Sequence, residues 1–356
     1  MLKIIEQLSY VQLDTISVIE RAHNHVLWTR FPYYKNKMLD DLLGKDRKVF
    51  EYWSHAAAVI PFCDYRFTLR TKNLHKEKYN EWRKKNKKFI DSVYERIKNE
   101  GPLQSKDFEG KRKDNGKVAG WWSWKPAKHA LELMFLDGIL MVAQRKGFQK
   151  VYDLTERVVP PGIDTTLQKD EEFYAHLVSN AVKSHGVISD KEMVYLRKNT
   201  KPYKETLQKM IEEKKITEVK VHGLKDTYHS SAEKLNLLNR KKAPAGVHIL
   251  SPFDNLIIQR KRTKAIFGFD FQVEFYLPVH KRKYGYFCLP VLYGDKFVGK
   301  IDTKADRAGK ALQIISMHWE KGSKQDRDFK DKFTSKLNEF AKFNGCEKIE
   351  GMEKIA

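Results

Sequence analysis

The sequence predicts an α+β fold in which tandem winged-helix domains precede a small antiparallel β-barrel or sheet domain and a C-terminal helix. Two observations lead to this prediction. A helix-and-hairpin pattern occurs twice, and from about Pro244 the chain changes to short β-branched or aromatic runs broken by Gly, Pro and Asp. At 356 residues the chain is long enough for several domains.

The charge balance indicates a polyanionic partner. The net charge is +22 and the isoelectric point is about 9.6, which favours nucleic acid over membrane. No run approaches the roughly 20 apolar residues of a membrane helix, and residues 1–6 do not resemble a signal peptide. Three widely separated cysteines argue against disulfides and for a reducing cytoplasm: Cys63, Cys288 and Cys346.

The first hundred residues are predicted to form a diverged first winged-helix-like domain, 1–100. A strand is expected over residues 9–17, where alternation directs Leu13 to the core and Gln12 and Asp14 to one exposed face. An adjacent amide and carboxylate can hold a water molecule and stabilise a positive charge. A half-buried strand with a merely polar outer face is the alternative. Helices are expected over residues 18–30, 37–43 and roughly 69–98.

The repeat is centred on two prolines. Pro126 and Pro202 each begin an amphipathic helix, with apolar residues five and eight positions later, and proline suits the first helical turn. A short amphipathic segment precedes each helix and a β-rich hairpin follows it. Helix, turn, helix and a two-stranded wing are typical of a winged helix. The predicted domains are 101–168 and 169–240.

The remainder, 241–356, is predicted to be a β-barrel domain with a C-terminal helix. Gly294–Asp295 marks a hairpin turn, and residues 323–344 carry apolar side chains at helical spacing. Strands are expected over residues 246–250, 256–259, 271–279, 284–292, 297–302 and 311–319.

Several chemistries are excluded by their missing motifs. The stretch 110–118 is the nearest to a phosphate-binding loop, but its spacing is wrong and Val118 stands where Ser or Thr belongs. No Cys/His quartet and no Gly-x-Ser-x-Gly elbow occurs. We therefore expect no nucleotide hydrolysis, no metal and no cofactor.

Two basic stretches remain as candidate DNA contacts, the second at a predicted hairpin tip over residues 278–286. Cations there would lie on phosphates and an aromatic ring against a groove. A solvated basic turn is the alternative. The candidate residues are Arg260, Lys261, Arg262, His280, Lys281, Arg282, Lys283 and Tyr284.

Taken together, these residues resemble the winged-helix DNA glycosylases that unhook interstrand crosslinks (AlkZ/YcaQ type). The resemblance covers nearly the whole chain and includes Val-Gln-Leu-Asp-Thr-Ile at 11–16 and Phe-Glu-Tyr-Trp-Ser-His-Ala at 50–56. Further matching stretches are 64–66, 251–256, 281–286, 289–291 and 299–302.

The resemblance implies a basic cradle and a catalytic Gln-x-Asp pair, matched by Gln12 and Asp14. It implies a glycosylase that releases alkylated guanine, including crosslinked guanine, from duplex DNA. Because this guanine is already cationic and leaves readily, no lysine nucleophile is needed, and we expect a monofunctional enzyme without a cofactor. We expect a monomer at the nucleoid in the cytoplasm, with a first domain that is shortened at its N-terminus relative to the family. Further DNA contacts are expected at Thr15, Tyr52, Trp53 and His55.

Other functions stay open at this point. One is a winged-helix transcription regulator or architectural DNA binder, and another is a pseudo-enzyme that keeps only DNA binding. The large C-terminal β-domain and the absence of an obvious dimerisation helix argue against a regulator. Footprinting on undamaged DNA would discriminate between these functions.

Overall fold

The structure, a computed structural model, describes residues 1–108, 126–238 and 246–355. Residues 110–118, excluded above as a phosphate-binding loop, and Pro244 lie outside these ranges. The chain divides into a first unit, Met1–Glu6 with Asn36–Phe173, and a second unit, Gln7–Lys35 with Tyr174–Ala356. The four-domain division stays a prediction.

The first unit is mainly helical, with a β-hairpin and a three-stranded sheet. Its strands are Val49–Trp53, Ala57–Pro61, Leu103–Gln104, Leu140–Lys146 and Gln149–Leu154. Its helices are Asn36–Asp40, the π-helix Asp41–Lys45, the 3-10 helices Phe62–Thr68 and Ser105–Phe108, and Leu69–Lys78, Asn80–Lys85, Lys87–Glu100, Pro126–Leu136 and Thr155–Val158. Two sequence boundaries between the units, after Glu6 and after Phe173, fall within the helices Leu2–Leu8 and Asp170–His185.

The predicted repeat is present, with one copy in each unit. In the first copy the helix Pro126–Leu136 precedes a hairpin whose last strand also pairs with Leu103–Gln104. In the second, Lys201–Glu212 precedes the hairpin Thr217–Lys220/Thr227–Ser230, whose last strand pairs with Ile188–Ser189. Both sheets therefore place the last strand in the middle. The remaining helices of the second copy are Asp190–Met193 and Ala232–Leu238.

The second unit contains a five-stranded sheet. Together with the helices of both units, this sheet confirms the predicted α+β class. Three antiparallel pairings are followed by one parallel pairing. In sheet order the strands are Val247–Ile249, Cys288–Tyr293, Lys296–Asp306, Ala311–Trp319 and Lys348–Glu350. The unit also contains the strand Val11–Gln12, the helices Ala22–Arg30 and Arg260–Phe267, and the 3-10 helices Val279–Lys281 and Met352–Ile355.

The C-terminal helix Arg327–Phe343 follows its prediction closely. The side chain of Asp326 caps its N-terminus by accepting a hydrogen bond from the Phe329 amide at 2.9 Å. Every residue expected on its apolar face is buried: Phe329, Phe333, Leu337, Phe340 and Ala341. None of the helices within the described ranges combines the length and apolar character that a membrane crossing requires.

Other predicted elements are wrong, each for a local reason. The strand expected over 9–17 is limited to Val11–Gln12, because Asp14 Oδ1 accepts a hydrogen bond from the Ile16 amide and turns the chain. The helix expected over 18–30 begins only at Ala22. The helix expected over 69–98 is three helices, interrupted at Tyr79 and Asn86.

Two predicted strands, 256–259 and 271–279, are absent. The carboxylate of Asp254 accepts a hydrogen bond from the Leu256 amide at 2.9 Å, and this holds the first of these stretches in a turn. The predicted hairpin tip over 278–286 is also not a hairpin, because three of its amides bond to a glutamate side chain instead of a neighbouring strand.

A buried lysine is the least expected feature of the first unit. Lys72 is 3% exposed, and its Nζ has no hydrogen-bond partner among the described residues. The amine lies 4.0, 5.0 and 5.9 Å from the ring centroids of Tyr65, Tyr52 and Phe50. Burial, and then the charge of Lys76, lowers its pKa to about 7.

We expect Lys72→Met to stabilise the protein, and most at or below pH 7. In the unfolded chain this lysine holds its proton up to about pH 10.4. The wild type should therefore gain up to about 1.4 kcal/mol of stability per pH unit above pH 7, and the advantage of the variant should shrink. Urea unfolding of both proteins from pH 6 to 10 measures this difference. The exposed Lys88→Met is the control, and an advantage that does not change with pH would contradict the assignment.

Candidate DNA-processing site

The segment that carries Gln12 and Asp14 belongs to the second unit and is held at both ends. Upstream of the motif, Asn255 Nδ2 donates a hydrogen bond to the Leu8 carbonyl at 3.3 Å. Downstream, the Ala305 amide donates to the Val18 carbonyl at 2.9 Å. The residues between Leu8 and Val18, which include the motif, are thus fixed at two points by the C-terminal part of the chain.

The helix Ala22–Arg30, which follows the motif, is attached by a buried ion pair. Arg30 donates two hydrogen bonds to Asp254, at 2.5 and 2.9 Å, and the Asp254 side chain is 1% exposed. Burial raises the pKa of Asp254, but the charge and hydrogen bonds of Arg30 and the Leu256 amide outweigh it, so that the pKa lies below its ordinary value.

A buried histidine adds a second attachment for this helix. His25 is fully buried and its Nε2 lies 2.8 Å from the Ile249 carbonyl on the edge strand of the sheet. Burial lowers the pKa of this imidazole to about 4, so it is neutral near pH 7 and Nε2 donates the hydrogen bond. The helix is therefore fixed to the sheet by groups that keep one charge state at neutral pH.

Gln12 and Asp14 are both half-buried. Leu13, which we expected in the core, is also half-buried, and Val11 is the fully buried residue of this segment. Burial raises the pKa of Asp14 above its ordinary value, partly offset by the hydrogen bond from the Ile16 amide at 2.7 Å. A carboxylate with a raised pKa is the stronger base and can accept a proton more readily at neutral pH.

The basic residues 278–287, which we call the clamped loop, are organised by buried carboxylates in the same unit. Glu274 Oε2 accepts hydrogen bonds from the backbone amides of Lys283, Tyr284 and Gly285, at 3.0, 2.8 and 3.2 Å. Because Glu274 is 5% exposed, its charge is compensated mainly by these amides. These amides of the loop face inward, whereas Arg282 is half-buried and the side chains of Lys281 and Lys283 are exposed.

Asp302 holds the end of the clamped loop. Its carboxylate accepts hydrogen bonds from the amides of Tyr286 and Phe287, at 2.9 and 3.1 Å. A register shift follows Asp302 in its strand, and such bulges re-aim side chains. Gly285 has a φ of 144°, and a Cβ there would overlap the Asp302 carboxylate, so only glycine fits.

Neither carboxylate was predicted from the sequence. Glu274 is a single acidic residue in the apolar run 273–277, and that pattern is the signal that could have identified it. Asp302 lies between Lys300 and Lys304 and carries no such signal. Within the clamped loop, His280, Lys281 and Lys283 are exposed.

The predicted contacts at residues 260–262 are one exposed lysine and two arginines that donate hydrogen bonds to backbone carbonyls. Lys261 is exposed. Arg262 is 3% exposed and donates hydrogen bonds to the carbonyls of Val187 and Asn255, both at 2.8 Å. Arg260 also donates to backbone carbonyls and is half-buried. We therefore correct the expectation for Arg262, whose guanidinium is committed to the interior.

The predicted contacts at residues 52–55 lie in the first unit. Tyr52 is 2% exposed and its hydroxyl donates to the Leu136 carbonyl at 2.6 Å, so its expected DNA contact is corrected as well. Trp53 is 44% exposed and His55 is half-buried. Thr15 is exposed in the second unit. Over the described ranges, no three His, Cys, Asp or Glu side chains are grouped in a way that could hold a metal ion.

Comparisons with known proteins identify the family and the fold. A family model described as "DNA glycosylase AlkZ-like" matches residues 5–343. The solved structure of the DNA glycosylase AlkZ of Streptomyces sahachiroi superposes with a TM-score of 0.61 at 11% sequence identity. The superposition covers 98% of this chain and 91% of that one. The likeness between the two structures concerns the fold.

We expect Arg30→Met to destabilise the protein by about 3–5 kcal/mol, because it leaves the Asp254 carboxylate buried without its counter-charge. Adding Asp254→Asn should recover part of this loss, since an amide oxygen can still accept the hydrogen bond from Leu256. Lys332→Met, which removes an exposed ion pair with Asp328, should have little effect. Denaturant unfolding measures all four proteins. Equal losses in the single and double variants would contradict the importance of the buried charge.

Proposed function

The chain belongs to the family of AlkZ-like DNA glycosylases, and on that premise we propose that it hydrolyses the N-glycosidic bond of alkylated, positively charged guanine in duplex DNA. The proposal includes guanines joined in interstrand crosslinks. The observation that supports it most is the half-buried Asp14, with a raised pKa, two residues from Gln12 on a segment held at both ends.

The chemistry of the lesion determines what the protein must supply. Guanine alkylated at N7 already carries a positive charge, so it leaves as a neutral base and needs no general acid. The transition state develops positive charge on the sugar, and a nearby carboxylate stabilises that charge. The remaining requirement is a water molecule in position to attack the sugar carbon.

Asp14 and Gln12 suit these two tasks. Within the described part of the chain, the hydrogen bond to Asp14 is on Oδ1, and we assign Oδ2 to the sugar and the attacking water. Asp14 would stabilise the oxocarbenium ion and accept the proton of that water. The Gln12 amide can both donate and accept hydrogen bonds and so position the water. This assignment corresponds to the Gln-x-Asp branch.

No lysine nucleophile enters this mechanism. A lysine that attacked the sugar would form a Schiff base and lead to strand cleavage, whereas activated water leaves an abasic site. Lys72 has a lowered pKa, but it is 3% exposed and covered by aromatic rings. We therefore propose a monofunctional glycosylase.

Duplex DNA is the proposed partner, bound mainly through phosphate contacts. The excess of 22 positive charges attracts the duplex, and the exposed cations Lys261, Lys281 and Lys283 lie in the same unit as Asp14. The remaining proposed contacts are Thr15, Trp53, His55, Arg260, His280, Arg282 and Tyr284. We propose that the protein acts as a monomer at the nucleoid.

We expect Asp14→Asn and Gln12→Ala each to reduce base release by at least about a hundredfold, because each removes a group that acts on the water or the charged sugar. Binding to an undamaged duplex should stay within a few-fold of the wild type. Single-turnover release of N7-methylguanine and fluorescence anisotropy measure the two effects. Ser17→Ala, at an exposed position on the same segment, is the control. Full turnover by Asp14→Asn would refute the role of Asp14.

The pH dependence provides an independent test of the same carboxylate. Since the ionised form of Asp14 acts and its pKa is raised, base release should fall as the pH drops through a midpoint above the ordinary value of 3.8. The rate should be constant at neutral pH. Single-turnover rates from pH 4 to 8, corrected for spontaneous release without protein, measure this profile. A rate that rises toward low pH would indicate a general acid instead.

A further inference from the structure

Two exposed tyrosines form a patch beside the clamped loop. Tyr276 is 76% exposed and Tyr286 is 40% exposed. Both rings pack around the buried Phe275, with centroid distances of 4.3 Å and 6.4 Å. Phe275 in turn stacks on the buried Phe287 at 5.7 Å. The patch therefore has a rigid aromatic base, although its two outer rings are open to solvent.

The two outer rings differ in what covers them. The Arg282 guanidinium lies 4.7 Å from the centroid of Tyr286, and its Nε donates a hydrogen bond to the Leu277 carbonyl at 2.9 Å. The ring of Tyr286 is thus already paired with a cation. Among the described residues, no cation lies over the ring of Tyr276, which is also the more exposed of the two.

Tyr276 also lies within the electrostatic reach of the proposed catalytic carboxylate. Partial burial, together with the charge of Asp14, raises the pKa of the Tyr276 hydroxyl above its ordinary value of 10.0. An open aromatic face and a carboxylate in one neighbourhood both attract positive charge.

We propose that Tyr276 is a specificity-determining residue whose ring stacks on the alkylated base and favours a positively charged purine over a neutral one of the same shape. This inference rests on the proposed function, because it takes N7-alkylguanine as the ligand. It adds a recognition step that precedes bond cleavage. Base stacking on the ring supplies affinity, and the cation–π interaction with the charged purine supplies the discrimination.

The test compares two duplex probes that bind but are not cleaved. Both carry a 2′-fluoroarabino sugar, which resists hydrolysis, at one position. One has N7-methylguanine, which is cationic, and the other has 7-methyl-7-deazaguanine, which is neutral and of the same shape. The ratio of the two dissociation constants reports recognition of the charge. For the wild type we expect the cationic probe to bind about three- to tenfold more tightly.

Three variants locate the effect. Tyr276→Leu should reduce the ratio to near one, while Tyr276→Phe, which keeps the ring, should preserve it. Tyr286→Leu should weaken both probes equally and leave the ratio unchanged. Circular dichroism and binding to an unmodified duplex show that each variant is folded. An unchanged ratio in Tyr276→Leu, or a ratio lost in both Tyr276 variants, would overturn the stacking role.

A parallel measurement with the ordinary sugar separates this inference from the proposed function. If the wild type prefers the cationic probe but releases no N7-methylguanine, the hydrolysis proposal fails and the recognition stands. If it releases the base but binds both probes equally, the recognition fails and the hydrolysis stands.

Discussion

The buried carboxylate of Asp254 is the interaction on which the arrangement of the second unit depends. It binds Arg30, at the end of the helix that follows the motif, and it holds the Leu256 amide in a turn. The intervening Asn255 holds the Leu8 carbonyl, upstream of the motif. Two consecutive residues from the C-terminal part, Asp254 and Asn255, therefore hold the N-terminal segment on both sides of Gln12 and Asp14. Because the Asp254 carboxylate is buried, removing Arg30 from it would leave an uncompensated charge in the interior. The ion pair therefore holds the helix Ala22–Arg30 strongly.

The same device recurs in the clamped loop. The carboxylates of Glu274 and Asp302 accept hydrogen bonds from backbone amides of the loop instead of from water. These hydrogen bonds give an irregular loop one defined conformation. Basic and aromatic side chains are consequently presented from a fixed backbone, and less conformational freedom is lost when DNA is bound. The mechanism we propose, which places one water and one carboxylate at a sugar carbon, would benefit from such preorganisation.

Local patterns predicted the regular elements well. The helices that begin at Pro126 and Lys201, the wings that follow them and the apolar face of Arg327–Phe343 are set by short-range periodicity. The conformation of the clamped loop could not be predicted, because its amides donate to carboxylates 9 to 16 positions away in the sequence. For the site, Arg262 shows why prediction from sequence fails. An exposed arginine in a basic run and a buried arginine that donates to backbone carbonyls look the same in the sequence.

The central claim is that the protein releases a damaged base by hydrolysis. The most direct measurement incubates it with a duplex that contains one N7-methylguanine, quantifies the free base by chromatography and then treats the DNA with mild alkali. We predict free base and alkali-labile sites in equal amounts, with an intact strand before alkali. Absence of free base would contradict the account, and strand breaks before alkali would contradict the water-based mechanism.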